Sequence, residues 1–396
     1  MKVLVLTLSF GSGHVRAARA LAEELARRES RAEVRVLDAL EGCRLAFRAC
    51  YVWPYWAMVR YAPALWEKFF NARVARMDEQ TAPAWAFRRG CPQVFEEIER
   101  FAPDAIVAAE VAACEMAVNA RRAGLTRARV VCVITDFEAE PVWVKPEVDA
   151  YAVADEGVRE QLCAWGAPPE KVFVCGIPVA QDFRTRHDAD ATRARHRIEG
   201  DAPIVLLMGG GMGPTRMDEV ATLLCESEVP MNLIAVTGHD ARARRRLARV
   251  GPTHIGPTQR VGLHVLGWTD DVAALMQAAS VLLTKPGGVT LAEAAECALP
   301  VVMFDRIPGP ERLNAKRFAD AGAGVTVRGP REAAAAAELL LRDERVCAAM
   351  SLRARELARP LAASDIARLA LGEIGEGRTD SARARAASGL SRRMTA

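Results

Sequence analysis

The chain repeats one pattern: a short run of Val, Ile and Leu, a turn, then a longer stretch with helical spacing. Such runs lie at Val3–Leu8, Val34–Leu37, Ala105–Ala109, Val130–Ile134, Ala150–Val153 and Val172–Cys175. Apolar runs of this kind, separated by helices, predict parallel strands buried on both faces, because parallel strands need crossovers that cover the sheet. Residues 178–202 interrupt the pattern; they are polar, charged and without apolar period, as a linker would be. The alternation then restarts with Ile204–Met208, Asn232–Val236, Leu263–Leu266, Val281–Thr284 and Val301–Phe304. Two halves that each open with strand, glycine loop and helix predict an α/β protein of two Rossmann-like domains, their parallel sheets facing a central cleft. The expected divisions are residues 1–178, residues 179–359, a helix near 360–373 that returns to the first domain, and a disordered basic tail over 376–396.

Composition narrows the partners. Lys+Arg number 53 against 50 Asp+Glu, a net charge of +3, which makes no bulk electrostatic case for nucleic acid. The ten Cys are scattered singly with no Cys-x-x-Cys pair, so they read as reduced thiols rather than a zinc site or disulfide framework. The first residues, MKVLVLTLSFGSGH, lack the layout of a secretory signal. No uncharged run approaches the roughly 18 residues of a membrane span. The expectation is a cytoplasmic protein, or one bound to a membrane from outside.

Ser9-Phe-Gly11-Ser-Gly13-His14 follows the first strand. Glycines there permit close backbone approach, and the next helix offers free N–H groups and a positive dipole end. The loop lacks the third glycine of a dinucleotide fingerprint and the Lys of a P-loop, so neither NAD binding nor NTP hydrolysis is supported. His14 suits a general base near neutral pH and suits equally a helix-cap histidine. Met208-Gly-Gly-Gly211-Met-Gly213-Pro214 holds the equivalent place in the second half. A third loop, Thr284-Lys285-Pro-Gly287-Gly288-Val289-Thr290, precedes Glu293. Paired glycines before a helix suit a diphosphate, and Glu293 suits ribose hydroxyls or, with no ligand, an ordinary helix-end carboxylate.

These residues carry a resemblance. Gly267-Trp-Thr-Asp-Asp271, Lys285-Pro-Gly-Gly-Val-Thr290, Pro308-Gly-Pro-Glu311, Asn314 and Ala321-Gly-Ala-Gly324 look like the donor half of glycosyltransferase family 28. Gly11-Ser-Gly13-His14, Tyr61-Ala-Pro-Ala-Leu-Trp66, Thr135-Asp136-Phe137 and Pro146-Glu-Val-Asp149 resemble its monogalactosyldiacylglycerol synthase and processive diacylglycerol glycosyltransferase branch. The resemblance implies a GT-B fold and an inverting transfer of a hexosyl group from a UDP-sugar to a lipid hydroxyl, with the donor held by the C-terminal domain. It implies His14 as base, Gly211 and Gly213 on the phosphate side, and Thr269 at the uracil. It further implies Lys285, Gly287, Gly288, Val289 and Thr290 at the diphosphate, and Glu293 at the ribose. It implies no cofactor and no metal, since helix dipoles and backbone N–H groups meet the departing UDP. Asp188-Ala-Asp190 imitates a metal-binding Asp-x-Asp but falls in the linker, and reads as solvated charge.

Four positions depart from the family pattern. Ala180 stands where an Arg is usual, Pro310 replaces the Gln of Pro-Gly-Gln-Glu before Glu311, Glu140 replaces a His, and the loop Glu110–Glu115 lacks another His. Acidic surroundings in place of two histidines point to Glu110 or Glu115 on the acceptor side, with Glu110 as a catalytic candidate.

Residues 44–76 hold nine of the 23 aromatics, six basic residues and one acidic. Rings with Arg and Lys suit an anionic membrane surface, and equally an aromatic core with snorkelling Arg. The resemblance favours the first: Trp53, Tyr55, Trp56, Tyr61 and Trp66 meet the acceptor or the membrane, and the protein, a monomer or homodimer, sits peripherally on the inner face of the cell membrane. Two other readings stand, a UDP-N-acetylglucosamine 2-epimerase of the same architecture, and a non-catalytic member that binds UDP-sugar or lipid.

Overall fold

The computed structural model describes residues 1–209, 216–250, 260–305, 309 and 311–374. Six strands form the first sheet: β1 Lys2–Thr7, β2 Glu33–Asp38, β3 Ala105–Ala108, β4 Arg129–Val133, β5 Ala150–Val153 and β6 Val172–Val174. Their order is β2-β1-β3-β4-β5-β6, all parallel. The second sheet takes β7 Ile204–Met208, β8 Met231–Val236, β9 Val261–Leu266, β10 Val281–Thr284, β11 Val301–Met303 and β12 Gly324–Thr326. Its order is β12-β11-β10-β7-β8-β9, again parallel. The short strand β12 has no apolar run of its own and was not part of the sequence expectation.

Val3 to Leu6, Ile204 to Leu207 and Val281 to Leu283 are buried, as strands covered on both faces must be. The helix Ala362–Ala370 lays Ile366, Ala367 and Leu369 into the core formed by Val3, Val5, Leu21 and Val131. The 178–202 segment is more ordered than its polarity implies. Asp188 caps a short helix, Ala189–Arg195, its Oδ1 accepting from the N–H groups of Asp190 (2.8 Å) and Ala191 (3.0 Å). The Asp-x-Asp pattern there is a helix cap, which uses one carboxylate for backbone donors. All ten cysteines are free.

In each sheet the connections run in opposite directions on either side of the first strand, β1 or β7. Such a reversal opens a crevice beyond the carboxyl ends of the strands. The two crevices face each other and are joined by Asn314, which is fully buried. Its Oδ1 accepts from the Phe137 N–H (2.7 Å), while its Nδ2 donates to Asp136 Oδ1 (2.7 Å) and to the Pro286 carbonyl (3.0 Å). Beside it, a β-carbon on Gly288 would fall inside contact distance of the Thr135 carbonyl oxygen, so only glycine permits this approach. Asn314→Ala would strand the buried Pro286 carbonyl and two part-buried groups, the Asp136 carboxylate and the Phe137 N–H. A loss of about 2–4 kcal/mol is expected, read by urea unfolding together with an increase in the radius of gyration as the halves separate.

Candidate active site

The loops after β1, β3, β4 and β10 converge at the cleft, and with them His14, Glu110, Thr135, Asp136 and Lys285. The helix Ser12–Arg28 begins between two cavities. One, of about 300 Å³, is lined by Phe10, His14, Tyr51, Tyr55, Trp66 and Glu110, with Arg73, Asp136, Glu138 and Glu140 at its polar end. The other, of about 260 Å³, is lined by Arg16, Ala180, Phe183, Thr269, Val289 and Glu293. His14 and Glu110 therefore share the first cavity, and Thr269, Val289 and Glu293 share the second.

His14 Nδ1 lies 3.0 Å from the Thr135 hydroxyl. Its pKa is lowered, chiefly by desolvation, against the opposing pull of the Asp136 carboxylate and a backbone hydrogen bond to Ala109. Burial thus favours the neutral ring, the form a general base needs, with Nδ1 against the Thr135 hydroxyl. Glu110 caps the helix Val111–Arg122, its Oε2 accepting from Ala112 N (2.7 Å) and Ala113 N (3.2 Å). Burial nevertheless pushes its carboxyl up to about 8, the two N–H donors only partly opposing this. Glu138 is raised to about 7 by burial, with Arg312 opposing. Burial also raises Glu140, which pairs with Arg73. Glu115 lies behind the cavity wall, accepting from the Thr81 N–H at 2.9 Å, and does not line the space.

The aromatic segment divides. Tyr55 and Trp66 turn inward to line the first cavity, Trp56 is half-buried against the same cluster, and Trp53 and Tyr61 are exposed at 54% and 79%. The two helices that carry them, Trp53–Tyr61 and Pro63–Ala75, each start with Pro in the first turn, where a missing N–H costs nothing.

On the second side, Glu293 is buried with Oε1 ion-paired to Arg16 and Oε2 without a hydrogen-bond partner among the described residues. Burial raises its carboxyl to about 7. Lys285 Nζ lies 3.0 Å from Glu311 Oε1. Gly287 caps the helix Gly288–Glu296, which carries Thr290, and Gly288 is spent on the contact with Thr135 rather than on an open loop. Thr269 Oγ1 accepts from the Asp271 N–H at 3.1 Å. Gly211, Gly213 and Pro310 lie outside the described residues. Among the described residues no three His, Cys, Asp or Glu side chains gather as metal ligands. Sequence reasoning did not assign Arg16, Tyr51, Arg73 or Trp143 to the site. Their types carry no signal until the fold brings them together, whereas Thr135 was visible within Thr-Asp-Phe.

Because the Glu110 carboxyl rises from 4.5 to about 8, the folded chain holds a proton that the unfolded chain releases between those values. That contribution is present below pH 4.5 and lost as pH rises to 8. Glu110→Gln keeps the cap without titrating, so its stability relative to wild type should improve between pH 5 and pH 9 in urea titrations. Glu110→Ala should lose about 1 kcal/mol at pH 5 from the missing cap.

Residues 14–179 match the family model for monogalactosyldiacylglycerol (MGDG) synthase, and residues 254–357 match that for glycosyl transferases group 1. A processive diacylglycerol beta-glucosyltransferase of Bacillus cereus (strain ZK / E33L) is 28% identical over 377 residues, 94% of each chain. Among solved structures, MurG of Acinetobacter baumannii superposes with a TM-score of 0.59 at 17% identity, covering 94% of this chain and 99% of that one. Anabaena HepE in complex with UDP-glucose gives 0.56 at 16% identity, covering 94% and 100%. Two facing parallel sheets and these neighbours establish the GT-B fold. Over residues 14–179 the chain is similar to the MGDG synthase family, and over 94% of its length it is similar to a processive diacylglycerol beta-glucosyltransferase.

Proposed function

We propose that the protein is an inverting hexosyltransferase that moves a sugar from a UDP-sugar to the hydroxyl of diacylglycerol or a similar lipid at a membrane surface. One observation carries this reading: a ring-lined cavity with a carboxyl-rich end, and a second cavity holding a buried carboxylate with one unpartnered oxygen, lie on either side of the helix that presents His14. Glycoside transfer to a lipid needs both environments within reach of one base.

In this reading Glu293 accepts from ribose hydroxyls and Thr269 sits beside the base of the nucleotide. The positive end of the Gly288–Glu296 helix faces the diphosphate, supported by Lys285. The lipid hydroxyl enters beside His14, whose imidazole removes its proton. The oxygen attacks the anomeric carbon from the face opposite UDP, the sugar–phosphate C–O bond breaks, and UDP leaves with the electron pair. Helix dipole and backbone N–H groups hold that charge without a metal. Glu110 and Glu138, sharing protons near neutrality, hydrogen-bond the polar end of the acceptor both as donors and as acceptors.

Membrane contact is assigned to the outward faces of the two aromatic helices. Trp53, Tyr61, Leu65 and Phe69 are exposed there, with Arg60 and Lys68 among them. These rings and cations suit headgroup depth, and the inward rings of Tyr55 and Trp66 continue from that face into the cavity. Among the described residues no helix is long and apolar enough to cross a bilayer. An epimerase acting on a nucleotide sugar alone has no use for the ring-lined cavity.

Incubation with diacylglycerol vesicles and a panel of UDP-sugars should release UDP and yield a glycolipid of matching mass. Soluble conversion of UDP-N-acetylglucosamine alone would identify the epimerase, and UDP binding without release from any donor would identify a non-catalytic binder. His14→Ala should lower turnover about 10²–10⁴-fold with UDP affinity retained. The base must be neutral, so activity should fall with acid through a pKa below 6.5. In flotation with anionic liposomes, a Trp53→Ala, Tyr61→Ala double variant should shift toward the unbound fraction; wild type that stays unbound would refute the membrane assignment.

A further inference from the structure

The second cavity poses an electrostatic problem for the donor assigned to it. Among the described residues its walls carry Glu23, Asp182, Asp270 and Glu293 against Arg16 and Arg19, while a nucleoside diphosphate brings further negative charge. Arg19 is exposed; Arg16 is the cation held within, its side chain 23% accessible. Its guanidinium carbon lies 5.6 Å from the centre of the buried Phe183 ring, which holds it over the cavity. Ala180, on the same wall, is too small to supply a contact from the other half.

Arg16 is also paired with Glu293, and that pair is incomplete. One carboxylate oxygen meets the guanidinium, while Oε2 is buried with no hydrogen-bond partner among the described residues. A buried carboxylate with one idle oxygen is poorly satisfied. A ribose diol offers two O–H donors and so can engage both oxygens. The cation released by that exchange is then free to face the diphosphate while still resting on Phe183.

We propose that Arg16 is a donor-binding residue contributed by the N-terminal half, exchanging Glu293 for the diphosphate when the ribose engages that carboxylate. This rests on the UDP-sugar reading above. The exchange assigns distinct consequences to the two parts of the ligand. Uridine satisfies Glu293 but leaves the displaced guanidinium without an anion, whereas UDP satisfies both. The preference for UDP over uridine is therefore the quantity that Arg16 controls.

Calorimetric titration of the full chain with UDP and with uridine tests this. Wild type should bind UDP more tightly than uridine, and Arg16→Ala should reduce that preference at least tenfold while uridine affinity is unchanged or improved. Arg16→Gln, which keeps a hydrogen-bond donor for Glu293 but no charge, should lose the preference equally, and it decides the matter should the alanine variant not fold. Arg16→Lys should retain part of it. UDP binding with an unchanged preference in the alanine and glutamine variants, or equal wild-type affinity for UDP and uridine, would overturn the role of Arg16 and leave the donor reading standing. Wild type that binds neither ligand would overturn both.

Discussion

The buried amide of Asn314 holds the two halves at a fixed approach, and the rest of the site depends on that distance. Its three hydrogen bonds reach Asp136, Phe137 and Pro286, and so tie the loop after β4 to the loop after β10. Each loop carries chemistry within a few residues of the clamp: Thr135, bonded to His14 on one side, and Lys285 with the Gly288–Glu296 helix on the other. Since each buried group would be left unpaired if the halves slid apart, the clamp favours one relative placement over its neighbours. Gly288 reinforces this by making the approach sterically possible.

That placement gives the start of the Ser12–Arg28 helix two duties. Residues at i and i+2 of a helix point to different sides, and here His14 reaches the ring-lined cavity while Arg16 reaches the second one. Val289 borders this helix start: a β-carbon added at Gly13 would meet it at ordinary van der Waals distance. A single helix terminus therefore separates the ring-lined cavity from the one that holds Glu293.

Much of this was legible in the sequence, for identifiable reasons. Buried parallel strands write themselves as apolar runs, so the main strands were found within a residue or two, and glycine loops marked the carboxyl ends where ligands bind. The three-residue β12 lay below any period, and its pairing with β11 is a tertiary matter. The helix at Ala189–Arg195 carried a capping signal in Asp188 that polarity obscured. Arg16, Tyr51 and Arg73 carried no signal, because their roles arise from residues distant in the chain: Glu293, Thr81 and Glu140. The aromatic segment shows the limit best. Composition marked it as unusual, but only the fold separates the inward Tyr55 and Trp66 from the exposed Trp53 and Tyr61.

The acidic replacements around the first cavity have a physical logic of their own. Histidines at Glu140 and in the Glu110–Glu115 loop would be neutral or positive; burial instead pushes the Glu110 carboxyl up to about 8 and raises Glu140, and the neighbouring Glu138 rises to about 7. A carboxyl near its pKa at neutral pH both donates and accepts, and carries less charge than its count suggests. Arg73 neutralises Glu140, and Arg312 opposes Glu138, so the polar end of the cavity is less acidic than four carboxylates in a row would imply. Such a lining suits hydroxyl groups better than phosphate, which fully ionised carboxylates and an anion would make repulsive. The proton-sharing carboxyls thus lie where an uncharged hydroxyl would be presented to His14, while the cavity assigned to the nucleotide relies on Arg16 to offset its own acidic walls.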